Sequence, residues 1–258
     1  MEIDGSVMGV FRRSAAALCG GVAHLFWPTT CLMCRQPCGR TLKSLCDSCW
    51  ERLCQTVSGD YCPGCGFSVS PYAVIEGKCP RCPDSRLYID GVARAGIYDG
   101  SLRDAVCLIK FRQCTELVGA VAEMMATALS ASCFTERIDL FAPVPLHWRR
   151  YLERGFNQSQ LLARKIRPGS RLMISNDLVR LRYTPHQWTL DTDAKRKKNV
   201  KDAFGVRRGH KFSNRTVCLV DDITTSGATL SECASVLRRA GAEKVYALVA
   251  AVAERQYI

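Results

Sequence analysis

The chain has 258 residues, 47% of them apolar, enough to bury a proper core in one large α/β domain or two smaller ones. No apolar run approaches the ~20 residues of a membrane-spanning helix, so no helical span is expected. The net charge of +12 suits an anionic partner, whether nucleic acid, a lipid surface or a polyphosphate, without choosing among them.

Residues 1–30 read as a leader that closes on Trp27-Pro28. Arg12-Arg13 and the apolar stretch after them look a little like the basic and apolar parts of a signal peptide. Against that, Glu2 and Asp4 precede the arginines, Gly20-Gly21 and His24 interrupt the apolar run, and no clear cleavage site follows. Residues 6–27 are therefore expected to form a short amphipathic helix or helix pair.

Four CxxC pairs come next: Cys31 with Cys34, Cys46 with Cys49, Cys62 with Cys65, and Cys79 with Cys82. Chance placement of sixteen cysteines does not produce four such pairs in tandem. A CxxC turn brings two sulfurs to one side of a tight knuckle, which suits tetrahedral metal, and zinc above all. Two zinc tetrathiolates of about −2 each would leave the chain at roughly +8, still basic. The gaps between successive pairs are 11, 12 and 13 residues, so spacing alone barely separates two pairings. The first two pairs can share one metal and the last two a second, or the pairs can alternate in a cross-braced arrangement. The sequential form is preferred, because residues 49–61 read as a connector with a short helix. Cys38 and Cys54 fall at the wrong offsets for ligands, while Gly39, Pro63, Gly64 and Gly66 supply turn chemistry. No pair leaves an open ligand position, so the expected role of the metal is architectural, with an adaptor surface as the alternative. A disulfide-stapled secreted protein is a third reading of the even cysteine count.

The composition shifts near residues 84–90. Residues 90–100 alternate like a pair of strands, and residues 101–111 place Leu102, Ala105, Val106 and Ile109 on one helical face, with Lys110 at its end. Residues 115–131 give another helix, whose Met124 and Met125 read as core filler. Residues 138–147 form a buried strand ended by Pro143-Val144-Pro145. Arg149, Arg150 and Arg154 follow, at a strand C-terminus where open α/β sheets hold their ligands. Arg149 and Arg150 can equally form a solvated basic face. Asn157 would cap the next helix or contact a ligand. After a short strand at 178–181, residues 182–204 are long, polar and expected to be mobile. They carry the basic run Lys195, Arg196, Lys197 and Lys198, which could track a nucleic-acid backbone, and Trp188, which could stack on a base or simply pack.

The most informative stretch is TVCLVDDITTSGAT, residues 216–229. Val217, Cys218, Leu219 and Val220 are a short buried strand. Asp221 and Asp222 end it, and Thr224, Thr225, Ser226, Gly227, Ala228 and Thr229 follow, small and rich in hydroxyls. Such a loop, opening a helix, offers backbone and hydroxyl donors to an anion. The two acids would repel a bare phosphate and make sense only beside ribose hydroxyls or a divalent cation. A helix at residues 230–242, broken at Gly241, and a last buried strand at 245–253 complete the chain.

VCLVDDITTSGAT resembles the phosphoribosyl pyrophosphate (PRPP) fingerprint of the type I phosphoribosyltransferases. PVPLHWRRYLERGFNQSQLLA is similar to the signature of the ComF family, competence-associated phosphoribosyltransferase-like proteins that also carry an N-terminal double zinc ribbon. A further ComF pattern is matched by Thr184, Gln187, Leu190, Arg196, Asn199, Val200 and Phe204, with one extra residue between Gln187 and Arg196. Both halves of the chain thus match one family in one order.

The resemblance implies a type I phosphoribosyltransferase-like parallel sheet flanked by helices, class α/β, preceded by a small Cys-rich double zinc ribbon. The implied divisions are a leader at 1–30, the ribbon at 31–85 and the phosphoribosyltransferase-like domain at 86–258. Asp221 and Asp222 would then take the ribose of PRPP, accompanied by Mg²⁺. The loop from Thr224 through Thr225, Ser226, Gly227, Ala228 and Thr229 would take the 5′-phosphate, and Arg154 with the PVPLH turn the pyrophosphate. Asp221, Asp222 and Arg154 are the candidate catalytic residues of a phosphoribosyltransferase with an unnamed acceptor. The family points to DNA uptake or processing during transformation, with single-stranded DNA and uptake or helicase machinery as partners. It also points to the cytoplasm or the inner face of the membrane. The alternative is an adaptor that keeps the fold and pocket, binds nucleic acid and catalyses nothing.

Overall fold

A computed structural model describes residues 30–38, 44–57, 60–75, 79–80, 82, 88–166, 172–185 and 192–254. The leader helix expected at 6–27 lies outside these residues, as do Gly39, Gln187, Trp188, Leu190 and Asp191.

Five strands form one parallel sheet: β1 (Gly91–Ile97), β2 (Leu140–Pro143), β3 (Met173–Ile174), β6 (Thr216–Thr224) and β7 (Lys244–Val252). Their spatial order is β1-β7-β6-β2-β3, while β4 (Leu178–Arg180) and β5 (Phe204–Val206) pair antiparallel in a separate ribbon. The central strands are covered on both sides, which is why they read as unbroken apolar runs. Along β6, Cys218 and Val220 face one cluster and Val217 and Leu219 the other. The first cluster includes α2 (Gly100–Arg112), α3 (Val118–Ser130) and α5 (Gln158–Lys165). The second includes α7 (Ala228–Arg239) and the β4–β5 ribbon. Met124 and Met125 are core residues of α3, as expected.

Two expectations change. Residues 90–100 do not form a strand pair: Gly91–Ile97 is one strand, lying parallel to β7, and the chain turns at Gly100 (φ +45°) straight into α2. Alternation between two buried faces looks the same in sequence as a hairpin with one wet side. Within the long polar segment, Asp193–Val200 forms a helix, α6, capped by the Thr192 hydroxyl accepting from the Lys195 amide at 3.2 Å. That cap, with the Arg196–Asp193 pair one turn apart at 3.2 Å, favours a helix that has little apolar face of its own.

The cysteine-rich region carries one helix, α1 (Asp47–Gln55), in the connector beginning near Cys49. Cys31, Leu45, Cys49 and Leu53 belong to the same buried cluster as α2 and α3. The fit is close: a Cβ built on Gly96 of β1 would lie 2.5 Å from the Thr56 carbonyl oxygen, so only glycine fits there. Among the described residues no helix is long and apolar enough to cross a membrane.

Candidate functional site

Two central strands end side by side, and their connections leave in opposite directions, β6 toward β7 and β2 toward β3. A crevice at such a switch point is the usual ligand site of an open parallel sheet. Here it is a cavity of about 370 Å³ between the end of β6, the loop after it, the turn after β2, and the ends of α2 and β1.

β6 carries its acids past the apolar run and buries both, Asp221 at 8% exposure and Asp222 at 5%. The Ser159 hydroxyl, itself buried, donates to Asp221 Oδ1 at 2.9 Å, and the same oxygen accepts from the Asp222 amide at 2.9 Å. Asp222 Oδ1 accepts from the Ile223 amide at 2.7 Å, while its Oδ2 meets Lys110 Nζ at 2.9 Å. Burial, reinforced by the neighbouring charge of Asp222, pushes the Asp221 carboxyl up to about 7, against the pull of Lys110 and Ser159. The pair therefore holds its negative charge at a cost, and an added cation or hydroxyl donor would relieve it.

Beyond the acids, Thr224, Thr225, Ser226, Gly227, Ala228 and Thr229 all line the cavity. Gly227 sits at φ +72°, the left-handed conformation that lets the loop turn directly into α7. The Ser226 hydroxyl is buried and has no hydrogen-bond partner among the described residues. An orphaned donor beside the N-terminus of a twelve-residue helix is a cradle for an anion.

Three arginines form the opposite wall, two of them on α4 (Trp148–Arg154). Arg150 is 8% exposed and donates through Nη2 to the Thr184 carbonyl at 2.7 Å. Arg180 donates to the Thr184 hydroxyl at 2.5 Å, and burial, then Arg150, lower its guanidinium to about 10. Arg154 is half-buried, its guanidinium 5.7 Å from the Phe111 ring centre, and burial lowers it too, although Asp222 works the other way. Arg150 lowers both of the others, and cations crowded in this way inside a shared cavity are poised to receive negative charge. Arg149 is exposed and packs on Trp148 and Tyr183, outside the cavity. Asn157 caps α5, accepting from the Ser159 amide at 3.0 Å and donating to the Val144 carbonyl at 3.0 Å.

The acids, the loop and Arg154, singled out in the sequence, thus come together. Lys110, Ser159 and Arg180 were not assigned to the site. Lys110 sits next to the apolar stripe of α2, a faint signal, whereas Ser159 and Arg180 have none that a single sequence displays. The basic run of α6 does not line this cavity. Lys195, Lys197 and Lys198 are exposed, and Lys197 and Lys198 border a separate groove of about 700 Å³ with Lys201 and Arg239.

The eight CxxC cysteines gather sequentially, Cys31, Cys34, Cys46 and Cys49 in one group and Cys62, Cys65, Cys79 and Cys82 in the other. Within each group the sulfurs all lie within 4.8 Å of one another, and none is in a disulfide. Sulfurs of a tetrahedral zinc site with bonds of ~2.3 Å stand ~3.8 Å apart. The measured Sγ–Sγ distances of 3.7 Å for Cys34–Cys46, 3.5 Å for Cys62–Cys82, 3.6 Å for Cys65–Cys79 and 3.9 Å for Cys79–Cys82 match that edge. The Ser48 hydroxyl, with the Cys49 amide, lowers the Cys46 thiol to about 6, whereas burial raises the thiols of Cys49 and Cys82, a penalty that a bound cation would offset. Cys38 and Cys54 stand outside both groups.

No family model matches the chain. It is similar to a protein named Competence protein F from Haemophilus influenzae, 29% identical over 225 residues that cover 85% of this chain and 95% of the relative. It is also similar to DNA utilization protein YhgH from Salmonella typhimurium, 30% identical over 84% of this chain and 94% of the relative. Competence protein ComFC from Bacillus subtilis is 27% identical over 77% of this chain and 80% of that protein. Among solved structures, a B. subtilis glutamine PRPP amidotransferase aligns at a TM-score of 0.36 and 20% identity. It spans 52% of this chain and 26% of that one, too distant a likeness to carry weight. Length, order and identity agree with the parallel sheet and the two four-cysteine groups: the chain belongs to the ComF family.

Proposed function

We propose that the cavity binds PRPP and that the protein is a phosphoribosyltransferase-like member of a DNA-handling system, as the names of its relatives suggest. The observation that carries this reading is the buried, unpartnered Ser226 hydroxyl in a helix-opening loop, faced across an acid pair by Arg150, Arg154 and Arg180. The loop from Thr224 to Thr229 takes the 5′-phosphate, Asp221 and Asp222 the ribose hydroxyls, and Arg154 with the turn after β2 the pyrophosphate. In catalysis the bond from ribose C1 to pyrophosphate breaks, a nucleophile bonds to C1, and the arginine wall receives the departing charge. Mg²⁺ bound with PRPP supplies further charge neutralisation. The two four-cysteine groups each hold a structural zinc, residues 31–85 form the ribbon unit and 86–258 the phosphoribosyl unit. Free thiols and PRPP chemistry both fit the reducing cytoplasm.

Isothermal titration with PRPP and Mg²⁺ tests the reading. Wild type is expected to bind and Asp221→Ala/Asp222→Ala to lose at least about tenfold in affinity; absence of binding to wild type would sink it. Pyrophosphate release in the presence of candidate nucleophiles then separates an enzyme from a binder. A nucleic-acid adaptor is the second reading, favoured by the exposed lysines of α6 and the groove bordered by Lys197, Lys198, Lys201 and Arg239. DNA affinity that does not change with salt would exclude it.

A further inference from the structure

The second four-cysteine group does not line the cavity but is joined to the strands that frame it. Its first knuckle lies against the start of β1 and the last residue of β7: the Pro63 carbonyl accepts from the Val92 amide at 2.7 Å, and Gly66, at φ +80°, is so tight that an added Cβ would stand 3.0 Å from Val92 and 3.2 Å from Val252. Two residues on, the Ser68 amide donates to Glu254 Oε1 at 2.6 Å. The same oxygen pairs with Arg94 Nη1 at 2.6 Å, and Arg94 Nη2 donates to the Ser68 hydroxyl at 2.8 Å. Arg94 is 2% exposed, on β1, with its guanidinium 5.0 Å from the Tyr61 ring centre, one residue before Cys62.

This closed triangle ends where the cavity begins. Glu254 follows Ala253, which lines the cavity and whose amide donates to the Thr224 carbonyl at 2.8 Å. Thr224 is the last residue of β6 before the loop with the orphaned Ser226 hydroxyl. Tyr98, another lining residue, is tied through its amide to the Val252 carbonyl at 2.8 Å. A buried cation that shares one carboxylate oxygen with a backbone amide has few alternative arrangements, so movement of the knuckle has to be taken up by the strand ends.

We propose that Ser68, Arg94 and Glu254 are positioning residues that transmit the state of the second four-cysteine centre to the loop from Thr224 to Thr229, so that an ordered centre is required for firm ligand binding. The effect on PRPP affinity rests on the phosphoribosyl reading; the mechanical link does not. None of the three touches the ligand. A metal bound at Cys62, Cys65, Cys79 and Cys82 would hold the knuckle against the strand ends, and its loss would free the loop before the sheet is disturbed.

The test compares full-length wild type, Glu254→Gln, Ser68→Ala and Cys82→Ser, with metal content measured for each. Amide hydrogen exchange is followed in the absence of ligand at residues 222–229 and, as an internal reference, at 217–220. Glu254→Gln is expected to keep both metals yet speed exchange at 222–229 by about tenfold, with 217–220 unchanged. Cys82→Ser should lose one metal and show at least the same local effect, and Ser68→Ala, which keeps the backbone contact to Glu254, a smaller one. PRPP affinity should fall in parallel, by about fivefold or more for Glu254→Gln. Exchange at 222–229 that matches wild type in Glu254→Gln and Cys82→Ser overturns the link, as does an equal rise at 217–220, which would mean general destabilisation. If wild type binds no PRPP while the exchange responds as described, the phosphoribosyl reading fails and the link stands.

Discussion

Residues 31–82 and the five-stranded sheet bury different kinds of side chain. In the sheet, β7 after its first residue, from Val245 to Val252, has no polar side chain but the Tyr246 hydroxyl, and every one of those residues is buried. Among the described residues of the second four-cysteine group the buried side chains are Cys62, Cys65 and Cys79, with Phe67 and Val69 only half-covered beside them. A segment this poor in apolar area does not hold a fold by burial, and four clustered thiols are the usual remedy. The first group lies between these extremes, because Leu45 and Leu53 join the cluster under α2. Organisation by clustered cysteines and organisation by apolar packing thus grade into each other along the chain.

Chelation is expected to separate the two regions most strongly. Structural zinc in small domains carries binding free energy on the order of 10 kcal/mol, so stripping it is expected to open residues 60–82 to protease while the sheet stays folded. Residues 31–57 should resist longer because they share the sheet's core. Loss of the sheet's circular dichroism at the same chelator concentration would show that the two regions are not separable in this way. Leu219→Ala reverses the experiment. Leu219 is fully buried in β6, and its truncation is expected to cost about 3 kcal/mol in urea unfolding while leaving the metal content unchanged. A drop in metal content would show that the cysteine groups depend on the sheet for their geometry.

A more modest effect is expected inside the sheet itself, where apolar packing gives way to a charged end. Because the folded-state pKa of Asp221 is raised, the folded chain binds more protons than the unfolded one between about pH 4 and 7. Its burial therefore weakens the fold progressively as pH rises through that window, and the penalty is complete above it. Asp221→Asn should accordingly stabilise the ligand-free protein at pH 8 by on the order of 2 kcal/mol, with most of the gain gone at pH 5. An advantage of equal size at both pH values would mean that the carboxyl is not proton-linked.

What could be read from the sequence follows from how local the physics is. The apolar run of β6, the acid pair and the small hydroxylated loop are contiguous, so strand, charge and anion cradle were visible in one stretch. The CxxC knuckles are equally local, but gaps of 11, 12 and 13 residues left their pairing open, and the fold settles it as sequential. Lys110 and Ser159 are brought to the acids by the packing of α2 and α5, across separations of 112 and 62 residues. Nothing in their own neighbourhoods announces a carboxylate partner. Arg180 sits in a short strand whose pattern of apolar residues hides that its guanidinium lies in the cavity. The same limit explains the misread strand pair at 90–100, where the partner of β1 is β7, more than 150 residues away.

The contact between Lys110 and Asp222 already places a cation in the cavity. One oxygen of Asp222 accepts from the Ile223 amide, and the other, which accepts no hydrogen bond of good geometry, is ion-paired with Lys110 Nζ at 2.9 Å. An arriving hydroxyl or metal ion that binds the Lys110-held oxygen therefore displaces an ammonium group rather than filling a gap. Loading the site would then be an exchange: the tethered ammonium gives up its seat beside Asp222 and, still attached to the last turn of α2, becomes free to pair with a negative charge elsewhere in the cavity.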